Sequence, residues 1–211
     1  MTTELPSPPA YEPARDDAVV VQDMVRWLER AVIDLNLCPF AKGVHTKGQI
    51  HYVVSHADDA RGLLQDLQRE LEALAEAPAE QRDTTLLMAP LAMADFLDFN
   101  DFLELADELV EAMDLAGILQ VASFHPQFQF AGTQPDDVGN ATNRAPYPTL
   151  HLLREESIDR AVEAFPEAEE IFERNIEVLE KLGADGWKAL DVGARCPVHH
   201  NAPSSNGGGK A

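Results

Sequence analysis

The hydrophobic period of this chain switches repeatedly between helical and extended spacing, and that alternation leaves few folds open. Val20, Met24, Trp27, Leu28, Ala31 and Leu35 recur at helical spacing, with Asp16 or Asp17 placed to cap the first turn. Pro39 is expected to end that helix, because the residue before a proline is pushed out of the α region. Ile50–Val54 is β-branched and aromatic and reads as a strand. Ser55 then caps a helix running to about Glu76, with Asp58 completing an S-x-x-D pattern. Its buried stripe is Ala60, Leu63, Leu64, Leu67, Leu71 and Leu74. Residues 84–91 form a short apolar run, expected to be a buried strand. Phe99, Phe102, Ala106, Leu109, Val110 and Met113 mark the next helix, and Gly117 is suited to a left-handed cap behind it. Residues 118–124 and 149–154 read as the remaining strands. A last helix starts near Pro166, carries Ile171, Phe172, Ile176, Leu179 and Leu182, and ends at Gly183.

The resulting order is α-β-α-β-α-β-loop-β-α. Strands separated by single helices imply parallel pairing through right-handed crossovers. The expectation is a single α/β domain with a mostly parallel sheet of about four strands flanked by helices. It spans residues 16–192. Residues 1–15 and 193–211 hold too few large apolar side chains to offset the entropy of ordering, and read as disordered.

Composition narrows the function classes. With 16 Lys+Arg against 37 Asp+Glu, the formal charge of −21 repels phosphate backbones, so no nucleic-acid partner is expected. No stretch approaches the roughly 18 apolar residues of a membrane span, and no apolar run follows a basic start. Neither membrane insertion nor secretion is therefore expected. A cytoplasmic location is, with Cys38 and Cys196 as free thiols.

Ligands of open α/β sheets gather outside the carboxyl ends of the parallel strands. Three such ends are Ser55-His56, Ala89-Pro90 and His125-Pro126. The third opens a connection over residues 125–148, HPQFQFAGTQPDDVGNATNRAPYP, which interleaves Phe128, Phe130 and Tyr147 with polar groups and is stiffened by four prolines. Structureless connections longer than about 12–15 residues are uncommon in compact domains. This one reads as a folded loop holding His125, Gln127, Asn140, Asn143 and Arg144 around a pocket. Arg144, helped by Asn143 and Gln127, is the candidate anion binder, since a planar guanidinium matches a carboxylate or a phosphate. His125 is the candidate acid–base group.

Cys38, in LCPFAKG, reads either as a nucleophile or as a buried residue closing the first helix. The negative end of a helix disfavours the thiolate, so a reactive role needs Lys42, a histidine or a metal beside it. His151 is a second candidate ligand, or a core histidine. Cys38, His125 and His151 together would suit a divalent metal such as zinc, although no short-range spacing announces one. Arg154 either binds an anion or pairs with Glu155 or Glu156. Asp136 and Asp137 read as solvated turn residues, and Cys196, His199 and His200 as an adventitious metal-binding tail. The acidic helices read as solvated faces. No phosphate loop, dinucleotide fingerprint, serine-hydrolase elbow or H-E-x-x-H motif occurs.

The segments LCPFAKG, SFHPQFQFAGT and NRAPYPTLHLLREESIDRA together resemble an uncharacterised bacterial family known only as a domain of unknown function, DUF1415. The likeness runs from the first helix to about Leu190. Its motif positions are Cys38, Pro39, Phe40, His125, Pro126, Phe128, Asn143, Arg144, Pro146, Tyr147, Pro148, His151 and Arg154. The resemblance implies one cytoplasmic α/β domain and supplies no activity. The residues themselves point to an enzyme that transfers or hydrolyses a group on a small anionic metabolite. The alternatives are a non-catalytic small-molecule or metal-binding protein using the same Cys/His/Arg cluster, and an interaction module whose acidic helices meet a basic partner.

Overall fold

A computed structural model describes residues 17–164 and 171–195 of the chain. Helix α1 (Asp17–Trp27) opens with Asp17 in its first turn and runs on as a π-helical segment, Leu28–Ile33. It ends ahead of Pro39, because Asn36 turns left-handed (φ 54°) and the Leu37 N–H reaches back to the Val32 carbonyl. A short α2 (Ala41–Thr46) leads into β1 (Ile50–Val54). Helix α3 (Ala60–Glu76) is capped by Asp59, whose Oδ1 accepts the Gly62 N–H at 2.7 Å. The expected cap, Ser55, is still held by the sheet. Its N–H donates to the Met88 carbonyl, and its buried hydroxyl donates to Asp66.

Strand β2 (Thr84–Met88) is buried at every position. Helix α4 (Phe96–Ala112) follows, capped by Asp95 through the N–H groups of Leu97 and Asp98. Asp114 (φ 56°), rather than Gly117, takes the first left-handed position behind it. Gly117 (φ 77°) then turns the chain into β3 (Leu119–Phe124). After the long loop comes β4 (Thr149–Arg154), followed at once by α5 (Glu155–Ala164), a helix the hydrophobic pattern did not announce. Helix α6 (Ile171–Ala189) consists of two helical runs that meet at a kink, where the non-helical Gly183 (φ 68°) ends the first run as expected. Its expected start at Pro166 lies outside the described residues, as do Cys196, His199 and His200.

The four strands form one sheet in the order β1-β2-β4-β3. The sheet is mixed, which corrects the mostly parallel expectation. β1 and β2 pair in parallel, while β4 runs antiparallel to both β2 and β3. β1, β2 and β3 all point the same way, as connections through single helices require, although only β1 and β2 pair with each other. The crossover rule fails for β4, because no helix carries the chain back to the opposite edge. Phe124 at the end of β3 pairs with Thr149 at the start of β4, so the loop leaves and re-enters at one edge.

Side-chain alternation divides the interior in two. Leu87, Leu150, Leu152 and Leu119 face α3 and α4, meeting Leu67, Leu71, Phe99 and Phe102. Leu86 and Met88 face the other way, toward Met24, Trp27, Ala31 and Tyr147. On this second face α1 and its π-helical extension are the main covering helix. A third, small cluster joins α6 to the loop through Leu37, Ala141 and Leu179. No helix among the described residues is long and apolar enough to cross a membrane.

The fully buried Leu87 sits at the centre of the α3/α4 face. Leu87→Ala is expected to cost about 2–5 kcal/mol, read as a lower urea midpoint with an unchanged slope. A loss under about 1 kcal/mol would contradict this placement of the core.

Candidate functional site

The carboxyl ends of β1, β2 and β3 lie at one edge of the sheet, since Val54 pairs with Met88, Met88 with Thr149, and Thr149 with Phe124. The 125–148 loop caps that edge and is folded by its own polar groups. Buried Asn140 accepts from the Phe130 N–H (3.0 Å) and the Thr133 hydroxyl (2.9 Å), and donates to the Gln134 carbonyl (2.8 Å). Exposed Asp137 lies in a turn, as expected, and its side chain accepts the Gln134 N–H from three residues back. The 3₁₀ helix Val138–Asn143 packs against α6. The order in this loop therefore comes from internal hydrogen bonds and a small apolar contact.

His125 is fully buried. Its Nε2–H donates to the Met93 carbonyl (2.9 Å), and its Nδ1 accepts the Gln127 N–H (3.0 Å). The ring packs on Phe96 and Phe99 of α4, at centroid distances of 5.4 and 5.1 Å. Burial holds its pKa below the ordinary histidine value, so the ring is neutral and both nitrogens are committed. This is a structural histidine. It corrects the expectation that His125 serves as the acid–base group or as a metal ligand. Asn143 lends its backbone carbonyl to the His125 N–H (3.1 Å).

Arg144 bonds to other parts of the loop. Its Nε–H donates to the Phe128 carbonyl (3.1 Å) and an Nη2–H to the Pro135 carbonyl (2.7 Å). Together with Gln127 it lines a cavity of about 330 Å³ whose far wall is Trp187 and residues 192–194. The imidazole and the guanidinium thus do not share a cavity.

Cys38 and His151 do share one. A groove of about 850 Å³ lies on the second face of the sheet, beside α1. His151, Leu153, Leu86 and Ile50 line its strand side, and Trp27, Val32, Cys38, Phe40 and Ile158 its helix and turn sides. His151 stacks at a tilt on Phe124, with centroids 5.8 Å apart. Desolvation pushes the imidazole down to about 4, and burial raises the Cys38 thiol above its ordinary value, against the opposing pull of the Phe40 and Ala41 backbone. At neutral pH both groups are uncharged, which suits hydrogen bonding and not nucleophilic attack. Arg154 also borders the groove, but its guanidinium donates to the carbonyls of Leu74 and Ala77 (both 2.5 Å) at the end of α3 and to that of Arg82. It fastens α3 to the sheet, and neither an anion nor Glu155 or Glu156 is needed to explain it.

The Cys38, His125 and His151 set is therefore split across the two faces of the sheet. Among the described residues no group of three or more His, Cys, Asp or Glu side chains is placed to hold a metal ion. A third cavity at the carboxyl edge, about 540 Å³, is lined by Asp58, Asp59, Asp95, Asp98 and Asp101. Two of these are the helix caps already described.

Sequence reasoning missed Asp23. This fully buried carboxylate is ion-paired with Arg26 at 2.8 Å, and its Oδ2 accepts both the Tyr147 hydroxyl (2.7 Å) and the Arg195 N–H (2.6 Å). One oxygen thereby ties α1, the loop and the chain beyond α6. Arg26 adds bonds to the carbonyls of Asp191 (2.7 Å) and Gly193 (2.8 Å). Residues 193–195, assigned to the tail from composition, are held against α1. The one available signal was an acid at a position where α1's apolar stripe should continue.

Two expectations follow. Cys38 should alkylate more slowly than a free thiol at about pH 8, measured with iodoacetamide on the native chain; a faster rate would mean an activated thiolate. For His151, the native ring protonates only near 4 and the unfolded ring near 6.5, so the unfolded state binds more protons between those values. Its contribution is complete above 6.5 and is lost as pH falls toward 4. Urea unfolding across that window should show stability falling less steeply in His151→Gln than in the parent. His51 and His125, also shifted down, keep part of the slope in both.

No curated protein and no solved structure matches this chain. A family described as a protein of unknown function, DUF1415, matches residues 19–189, which contain all four strands, both cavity-lining segments of the loop and the Cys38–His151 groove. The chain belongs to the DUF1415 family.

Proposed function

We propose that this protein binds a small, mostly apolar organic molecule in the groove between α1 and α5. One observation carries the reading: the groove joins Cys38 and His151, two of the singled-out residues, over an apolar floor of ligand size. Small-molecule sites typically enclose about 300–1,000 Å³, with apolar walls and a few placed polar groups. Here the polar groups include the neutral His151 ring, the Cys38 thiol and Gln120, with Lys47, Glu80, Asp83 and Arg160 also in the lining. A neutral imidazole offers one donor and one acceptor, so it orients a hydroxyl, carbonyl or amide without demanding a charge. The apolar walls supply the affinity, at roughly 25 cal/mol per Å² removed from water.

The reading favours binding over turnover. Nucleophilic catalysis at Cys38 needs a thiolate, which desolvation opposes, and a base that protonates near neutrality, which His151 does not. A metal-dependent version lacks its third ligand, because His125 is spent on Met93 and Gln127.

N-phenyl-1-naphthylamine, an uncharged aromatic probe whose emission rises in apolar surroundings, tests the proposal. The parent chain should bind one equivalent saturably. Ala161→Phe, on the half-buried α5 wall of the groove, should weaken binding by about tenfold or more, or roughly 1.4 kcal/mol. No saturable binding by the parent, or equal binding by the filled variant, would overturn it.

A further inference from the structure

We infer that the cavity between the 125–148 loop and residues 192–194 is a second, separate binding site, for a small organic monocarboxylate gripped by Arg144. The argument starts from the charge. In a chain of −21, Arg144 is the sole formally charged residue among those lining this cavity, and no described carboxylate lies within ion-pair distance of it. Other arginines here, such as Arg26, Arg69, Arg82, Arg160 and Arg195, have an acidic partner. Arg144 has two neutral ones. The Phe128 and Pro135 carbonyls take its Nε–H and one Nη2–H, which fixes the plane of the guanidinium without cancelling its charge. A guanidinium carries five N–H donors, so donors remain for a ligand.

The walls match one class of anion. Pro126, Pro146 and Pro148 hold the loop side with fixed φ, and Trp187 and Val192 supply an apolar surface opposite. A half-buried single positive charge pairs with a single negative one. A phosphate dianion would leave surplus charge against apolar walls, which is costly. A carboxylate with a short apolar tail satisfies both the fork and the wall.

The cavity is also held open by the fold. Tyr147, between the two lining prolines, and Arg195, next to Ala194, bond the same Asp23 oxygen. The Arg26 bond to the Gly193 carbonyl secures the opposite wall. Both sides of the cavity are thus referenced to one buried carboxylate in α1, so the site exists before any ligand arrives, and little ordering cost opposes binding.

The test is a titration of the full chain, labelled with nitrogen-15, followed by the indole N–H of Trp187 and the side-chain Nε–H of Arg144. Propionate is the probe, with propan-1-ol as the neutral analogue and inorganic phosphate as the competing anion class. Propionate should shift both signals saturably, and propan-1-ol should not. Arg144→Ala should abolish the effect, but it also frees the Phe128 and Pro135 carbonyls and could loosen the loop. Ala194→Glu avoids that difficulty. Ala194 is exposed on the cavity wall, and the substitution leaves every loop hydrogen bond in place while offering Arg144 an internal carboxylate. It should weaken propionate binding about tenfold or more. Equal binding by the parent and Ala194→Glu, no binding by the parent, or saturable binding of phosphate without propionate would each overturn the inference.

Discussion

Strand β4 lies in the middle of the sheet and runs against both of its neighbours, and that reversal shapes everything at the sheet's carboxyl edge. A parallel return would have carried the chain across the sheet on a helix. An antiparallel return leaves the chain on one edge. The connection is too long for a tight hairpin, so its backbone polar groups need partners that no ladder supplies. Asn140, Asp137, Thr133 and His125 supply them. Many of the polar side chains that make the segment look chemical are therefore employed in folding it. The same reversal puts β2 and β4 together in the sheet's interior, which explains why β2 carries no exposed position.

Asp23 extends this logic to the other face. Burying a carboxylate is costly unless it is paired and hydrogen-bonded. Here Arg26 supplies the charge and Tyr147 and Arg195 supply donors. Removing one partner would strand the others, so α1, the loop and the segment behind α6 hold together as one unit. This gives the edge its rigidity, although none of the three segments is joined to the others by strand pairing.

Two sites of different character result. In the groove over His151 desolvation keeps the imidazole and the Cys38 thiol neutral at neutral pH, and formal charge enters the lining through Lys47, Glu80, Asp83, Arg154 and Arg160. The Arg144 cavity has a single fixed charge. The acidic cleft at the same edge has no such second feature, and its aspartates are in part spent on the caps of α3 and α4.

Much of the architecture was legible in the chain. Helical stripes and the buried character of β2 follow from local spacing, because apolar periodicity reports which face of an element meets the core, and the common direction of β1, β2 and β3 follows from the helices that join them. The π-helical run after Trp27 and the short α2 left no such trace, and α5 offered too few buried positions to show a stripe. The direction of β4 was out of reach for a different reason: it depends on where the chain re-enters the sheet, not on the residues of the strand.

Residue type marked Cys38, His125, Arg144, His151 and Arg154 as capable of chemistry, and no more than that could be read from the sequence. Only the folded molecule decided that His125 would face α4 with both nitrogens taken, that Arg154 would close a helix end, and that Cys38 and His151 would meet on the opposite face. Periodicity is a local property carried by neighbouring residues. Convergence depends on strand order and direction, which are set by contacts between residues far apart in the chain.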